Sequence, residues 1–207
     1  MGRYSDDTGF VNDSARPRGF LRDGSTYVRI DVPGARFTLA TGLNNLGQVV
    51  GASLDQNGDA HGFLWRAGRF TPVDLPGVAG TNPIDINDKG AVVGLFLDTD
   101  GRTHGFLLDK GEVVVIDLPR AALTLPFGLN DDGDIVGYTI NDDGSEVHGF
   151  LLAQGPKGPV TPIDFPGATV TAPGDLTDRG LIVGGYLVEE AAAPGLRLLD
   201  GLSLLTR

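Results

Sequence analysis

A block that opens Gly-Phe-Leu recurs through this chain. It starts at Gly19, Gly62, Gly105 and Gly149, and a degraded copy starts at Gly195, giving spacings of 43, 43, 44 and 46 residues. Each copy runs through a short turn into a strand-like segment ending Ile/Val-Asp-x-Pro. A variable link follows, then Asn/Thr-Asp-x-Gly, Val-Val-Gly and an Asp-rich turn. A period of 40 to 50 residues without helical patterning marks a radial β array. No single copy could bury its own apolar face, so the copies must fold as one domain over residues 1–207.

The copy between residues 81 and 118 shows the order within a unit. Thr81 to Ile86 is extended, and Asn87-Asp88-Lys89-Gly90 is a tight turn. Ala91 to Leu97 is apolar and β-branched, and Asp98-Thr99-Asp100-Gly101 turns again. His104 to Leu108 is a third strand, Asp109-Lys110-Gly111 a third turn and Glu112 to Leu118 a fourth strand. These four strands, here called A to D, form an antiparallel meander, and a looser D–A crossover leads to the next copy.

Proline placement identifies the sheet edges, because proline cannot donate to a ladder. Pro83, Pro126 and Pro173 fall in strand A, while Pro72, Pro159 and Pro162 fall in or beside strand D. Pro33, Pro76, Pro119 and Pro166 fall in the crossover, and none lies within B or C. Strands A and D are therefore the inner and outer edges. Gly51, Gly94, Gly137 and Gly184 recur within strand B, where they are expected to let neighbouring blades approach closely.

Counting copies predicts a five-bladed β-propeller of four-stranded antiparallel blades. The blade segments are about 2–33, 38–76, 81–119, 124–166 and 171–207. The first segment supplies only B, C and D, so its inner strand is missing. The ring would close by pairing the two termini. Strand exchange between neighbouring chains, or two chains joined in one larger ring, are the alternatives, and self-association through the incomplete blade is the expected route to either. The opening Met1-Gly2-Arg3-Tyr4 falls in mid-repeat with no signal peptide, which reads as an excised piece of a longer protein.

Charge narrows the partners. The formal net charge is −11, and 23 of the 27 acidic residues are Asp, which favours turns. Binding to nucleic-acid phosphates needs a basic footprint that this chain lacks, whereas cations or basic partners would be attracted. There is no cysteine, which removes disulfide and thiolate chemistry without fixing the compartment. No apolar run approaches the roughly 18 residues of a membrane span. No cofactor is implied.

The segment His104-Gly105-Phe106-Leu107, Val115-Ile116-Asp117-Leu118-Pro119 and Leu129-Asn130-Asp131-Asp132-Gly133-Asp134-Ile135-Val136-Gly137-Tyr138 resembles the HAF-type bacterial extracellular repeat. That resemblance spans nearly the whole chain. It implies a bacterial, often exported, propeller-like protein, hence an extracellular or periplasmic location, and it brings no general catalytic residues. Arg18 and Pro194 depart from the pattern where the other copies carry His61, His104 and His148.

The candidate sites follow from the repeat. The three histidines occupy equivalent places in different blades, so they cannot converge on one metal and should bond within their own blades. Asp31, Asp74, Asp117 and Asp164 invite a glycosidase reading, yet catalysis needs one asymmetric pair, so they are expected to cap the crossover turns. The B–C turns resemble calcium loops but lack the bidentate Glu of an EF-hand, and hairpin turns explain them. Asp85 and Asp175 stand where Gly42 and Gly128 stand in other copies, and break the symmetry beside the channel.

Topology gathers B–C turns and crossovers on one face, which becomes the expected binding surface. Its candidates are Asp55, Asp59, Asp98, Asp100, Asp142 and Asp143, with Asp6, Asp7, Asp13, Glu146, Glu189 and Glu190 adding to its acidity. The opposite face carries Lys89, Lys110, Lys157 and Arg179 among its acids. The favoured function is a non-enzymatic binding or scaffold module for a protein or glycan. A carbohydrate-active hydrolase at the channel, using Asp85 and Asp175, is one alternative. A lectin with one site per blade is the other, weakened because Leu108 and Leu152 replace the only Trp, Trp65.

Overall fold

The computed structural model describes residues 16–188, and all regular structure among them is β. A hairpin of β1 (Gly19–Asp23) and β2 (Thr26–Ile30) comes first. The first full sheet holds β3 (Phe37–Leu43), β4 (Gln48–Leu54), β5 (Ala60–Arg66) and β6 (Arg69–Pro72). The second holds β7 (Gly80–Ile86), β8 (Val92–Leu97), β9 (Thr103–Asp109) and β10 (Glu112–Ile116). The third holds β11 (Leu123–Leu129), β12 (Ile135–Ile140), β13 (Val147–Leu152) and β14 (Val160–Ile163). The antiparallel pair β15 (Val170–Leu176) and β16 (Ile182–Leu187) follows, touching β13 through one parallel pair, Val147 with Val170.

Within each full sheet the strands lie side by side in chain order, as the meander requires. Thus β1 and β2 are C and D strands, and β15 and β16 are A and B strands. The remaining strands expected of the first and last copies, and the closure drawn from them, lie outside the described residues. The A–B turns close on glycines 47, 90, 133 and 180, whose φ values of 71°, 82°, 85° and 75° are costly for any residue with a Cβ. Strand A carries a bulge in all four copies, between Ala40 and Gly42, Pro83 and Asp85, Pro126 and Gly128, and Pro173 and Asp175.

The apolar cores lie between successive sheets. Val50 of the first sheet packs with Ile86, Val92 and Phe106 of the second, and Val93 and Ile116 of the second pack with Ile135, Phe150 and Leu152 of the third. No sheet owns a core by itself, which is the physical reason the copies depend on one another. Strands β7, β11 and β15 also contact the A strand and the B and C strands of the sheet before them, and β3 contacts the C strand β1.

Glycine makes this proximity feasible, at other positions than expected. A Cβ on Gly51 would fall 2.0 Å from Leu39 O and 2.9 Å from the Phe63 ring, and one on Gly94 would fall 2.4 Å from Asn82 O and 2.9 Å from Phe106. The B-strand glycines therefore make room for the A strand and the C-strand phenylalanine of their own sheet, which corrects the expectation of a contact between blades. The approach between sheets falls instead on the glycine of Gly-Phe-Leu. A Cβ on Gly62, Gly105 or Gly149 would meet the ring of Pro83, Pro126 or Pro173 in the following A strand, at 2.9, 2.7 and 2.9 Å. Proline in strand A thus serves two ends. It tolerates the edge of its own sheet and fills the notch in the sheet before.

Polar staples complete the joint. Asn44 Nδ2 donates to Asn87 O at 2.9 Å, Asn87 Nδ2 to Asn130 O at 2.9 Å, and Asn130 Nδ2 to Thr177 O at 3.3 Å. Beside them, the backbone N–H groups of Asn45, Asp88 and Asp131 donate to the carboxylates of Asp88, Asp131 and Asp178, each at 2.8 Å. The Asn-Asp pairs were expected only to shape their own turns. Asn87 does that too, because its Oδ1 accepts the Ala91 N–H at 2.9 Å.

Asn87→Asp keeps that acceptor and deletes the donor to the next sheet, placing a buried carboxylate against Asn130 O. It is expected to lower unfolding stability by about 1–3 kcal/mol in a denaturant titration. Asp59→Asn, on an exposed turn, should change it by less than about 0.5 kcal/mol.

Candidate functional site

At the crossover end of each full sheet, a histidine at the start of strand C lies between two acids. His104 is the tightest case, with Nδ1 2.8 Å from Asp117 Oδ2 and Nε2 3.1 Å from Asp98 Oδ2. His61 stands 3.3 Å from Asp74 and 3.8 Å from Asp55, and His148 stands 3.2 Å from Asp164 and 3.6 Å from Glu146. Arg18 occupies the same place in the hairpin, with Nε 2.7 Å from Asp31. The histidines do bond within their own sheets, and Arg18 keeps the positive charge where the repeat loses its histidine. Among the described residues, no three His, Asp or Glu side chains gather in a metal-binding arrangement.

The aspartates at the ends of the D strands have a different task from the one expected. Asp74 Oδ1 accepts the Gly62 N–H at 2.8 Å and Asp164 Oδ1 the Gly149 N–H at 3.2 Å, so these carboxylates tie strand D back to the His-Gly step of strand C. The crossover turns are held instead by buried threonines at the start of strand A. Thr38, Thr81, Thr124 and Thr171 each accept, on Oγ1, the backbone N–H of the residue after that Asp, at 3.1, 3.0, 2.9 and 3.0 Å. Threonine does this because it lies buried six residues downstream, whereas the Asp side chain faces strand C.

The B–C turns are built by their own first residues. Asp55 Oδ1 accepts the N–H groups of Asn57, Gly58 and Asp59 at 2.8, 2.9 and 3.0 Å. Asp98 Oδ1 accepts those of Asp100 and Arg102 at 2.9 and 2.8 Å. Asp143 Oδ1 accepts that of Ser145 at 2.9 Å. These bonds favour the ionised form. The Asp59 N–H in the first turn, the Arg102 N–H and then His104 in the second, and Ser145 in the third hold Asp55, Asp98 and Asp143 below the usual carboxylate range. Asp59, Asp100 and Asp142 sit exposed on the same turns.

Asp85 and Asp175 form a separate group at the other end of the sheets. Asp85 pairs with Val93 and Asp175 with Val183, one residue before the end of strand A, beside the A–B turn. The structure therefore divides the eight candidate aspartates between two ends. A Cβ on Gly42 would fall 2.7 Å from Asp85 Cα, and one on Gly128 would fall 2.8 Å from Asp175 Cα. The alternation of Gly and Asp along the four copies is a matter of fit, because each Asp fills the space its neighbouring glycine leaves. Asp85 also reaches forward, its Oδ2 accepting the Leu129 N–H at 2.9 Å.

Burial is the main influence on Asp85, pushing its pKa up to about 6 against the opposing pull of the Leu129 and Ile86 N–H groups. The Asp175 charge raises it further. Beyond these positions, a shallow groove of about 510 Å³ runs beside the third sheet, where Arg120, His148 and Asp164 stand among Phe150, Val160 and Pro162. The sequence reading missed this groove, because Arg120 belongs to a crossover with no repeating charge. Neither a family model nor a curated sequence matches this chain.

Two pH effects follow. For His104, burial disfavours the charge, but the bonds and charges of Asp117 and Asp98 outweigh it and raise the pKa. Its stabilisation is full below the unfolded value near 6.5 and is lost as pH rises through the folded one. Asp98 acts in the opposite sense, losing its contribution as pH falls through its lowered pKa. An NMR titration of the His104 ring should show a midpoint above about 6.5 that moves down in Asp117→Asn. An unmoved midpoint would mean that Asp117 does not hold the ring.

Asp85 binds its proton more tightly folded than unfolded, so it lowers stability as pH rises from about 4 through 6. Asp85→Asn can still accept from Leu129. It should raise stability at pH 8 by on the order of 2 kcal/mol and leave it nearly unchanged at pH 4, as read from denaturant midpoints.

Proposed function

We propose that this chain is a β-propeller that serves as a non-enzymatic binding scaffold, with its ligand surface on the crossover end. The contacts between successive A strands support an axis lined by those strands, because each D strand makes its main contact with its own C strand. Five blades is the reading that the count of copies favours, and the resemblance to HAF-type repeats implies a propeller-like fold.

The observation that carries the functional reading is repetition at the level of bonding. The acid–base–acid arrangement recurs at His61, His104 and His148, Arg18 with Asp31 repeats half of it, and its carboxylates are already engaged in holding turns and strands. Groups committed this way offer a patterned charged surface and no single reacting centre. The exposed Asp59, Asp100 and Asp142 project from that framework. With a net charge of −11, the surface suits a basic protein segment.

A second reading rests on Asp85. A buried carboxyl with a pKa of about 6, beside a second carboxylate, is the chemistry of a general acid in glycoside hydrolysis.

One set of measurements separates the readings. An oligolysine peptide at low salt should bind the wild-type chain. Neutralising Asp98, Asp100, Asp142 and Asp143 together should weaken that binding at least about tenfold, while Asp88→Asn and Asp131→Asn at the other end should not. Equal weakening by both sets would remove the crossover end as the site. Glycoside turnover abolished by Asp85→Asn would establish the hydrolase, and saturable glycan binding with several sites per chain would establish the lectin.

A further inference from the structure

We infer that the groove between the second and third full sheets is a binding site for a small carboxylate ligand with an apolar body, held by Arg120. Every strand of these two sheets lies among the described residues. The ligand is opposite in charge to the one proposed for the B–C turns, so the two readings stand independently.

Two departures from the repeat meet in this groove. The crossovers run Asp31-Val32-Pro33-Gly34, Asp74-Leu75-Pro76-Gly77, Asp117-Leu118-Pro119-Arg120 and Asp164-Phe165-Pro166-Gly167. The three glycines have φ values of 80°, 76° and 81°, and Arg120 takes the same left-handed conformation at 69°. A residue with a Cβ is costly there, and the turn itself asks only for glycine. What Arg120 adds is a guanidinium lining the groove, and among the described residues it makes no ion pair.

The second departure is in strand B. Ser53, Phe96 and Thr139 stand opposite the strand C histidine in the three full sheets. Phe96 stacks on the His104 ring with centroids 5.0 Å apart, and the His104 side chain is 23% exposed. In the first sheet Gln56 reaches the crossover instead, its Nε2 donating to Gly34 O at 2.8 Å. Thr139 is small, its hydroxyl donates to His148 O at 3.4 Å, and the His148 side chain is 54% exposed. The wall that Phe96 closes in the second sheet thus stays open in the third, where Thr139 and His148 line the groove.

The lining selects the ligand. Phe150, Val160 and Pro162 give an apolar floor. Asp164 also lines the groove, but its Oδ1 accepts the Gly149 N–H and its Oδ2 lies 3.2 Å from His148 Nδ1, so both oxygens are occupied within the sheet. Arg120 is the group left over, and its planar fork matches a carboxylate through two parallel N–H···O bonds. The net charge of −11 repels an anion from the surface at large, which leaves this guanidinium as a local anchor. A groove of about 510 Å³ with an apolar floor and one charged anchor has the size and lining of a small-molecule site.

Phenylacetate titrated into the full chain and followed by amide NMR should give saturable shifts around Arg120, Thr139 and Val160, with a Kd on the order of 1 mM. Phenylacetamide keeps the apolar body without the charge and should bind at least about tenfold more weakly. Arg120→Gly restores the residue of the other crossovers, so it should fold, and it should weaken phenylacetate binding at least about tenfold. Thr139→Phe restores the ring of the second sheet and should abolish binding by filling the groove. Neutralising Asp98, Asp100, Asp142 and Asp143 together should not weaken it, so the failure of the basic-segment reading would leave this site standing. No saturable shift, equal binding of acid and amide, or undiminished binding by a folded Arg120→Gly or Thr139→Phe chain would each overturn the proposal.

Discussion

The first strand of every copy is shared between two sheets. It is hydrogen-bonded into its own sheet, while its proline, or Ala40 in β3, packs on the Gly-Phe-Leu glycine of the preceding one. Because the bulge falls just after that proline, the next residues can turn toward the neighbouring A strand, where Gly and Asp alternate. Apolar burial between sheets, the amide ladder and the strand A carboxylates all depend on this shared strand. A unit without its neighbour would lose its core and its staples together, which makes the folding of adjacent copies strongly coupled.

The strands themselves were legible in the sequence. Strand order, edge identity and turn positions followed from glycine and proline placement, and the boundaries agree within about two residues. What escaped was the direction in which each recurring residue acts. Asn87 in an Asn-Asp-x-Gly turn has a complete local explanation, so nothing in one copy reveals that its amide reaches the next. The clue was available in the recurrence of Asn44, Asn87 and Asn130, but period alone does not distinguish a contact repeated inside units from one repeated between them. The B-strand glycines and the D-strand aspartates were assigned to the wrong partners for that same reason.

The candidate site was legible to a similar extent. The sequence marked Asp85 and Asp175 as breaking the repeat, and the structure gives that a steric basis in Gly42 and Gly128. It set Asp85 and Asp175 beside the channel without assigning them an end, and the register places them at the A–B end, away from the turn aspartates at the crossover end. Chemistry also differs between the ends. Backbone N–H groups hold the turn carboxylates ionised, while burial holds the Asp85 proton. One sequence therefore carries acids in two opposed electrostatic settings.

The amide ladder steps from Asn44 to Asn87 to Asn130 and then to Thr177, a last step four residues longer than the ones before it. The additional residues fall outside the ladder, chiefly in the longer link between Leu152 and Val160. The copies thus have a constant part and an elastic part. Insertions can accumulate in the peripheral links while the A–B turns keep their spacing in three dimensions. Such a scaffold can lengthen its C–D links, beside the D edge of each sheet, without disturbing the joint that holds the sheets together.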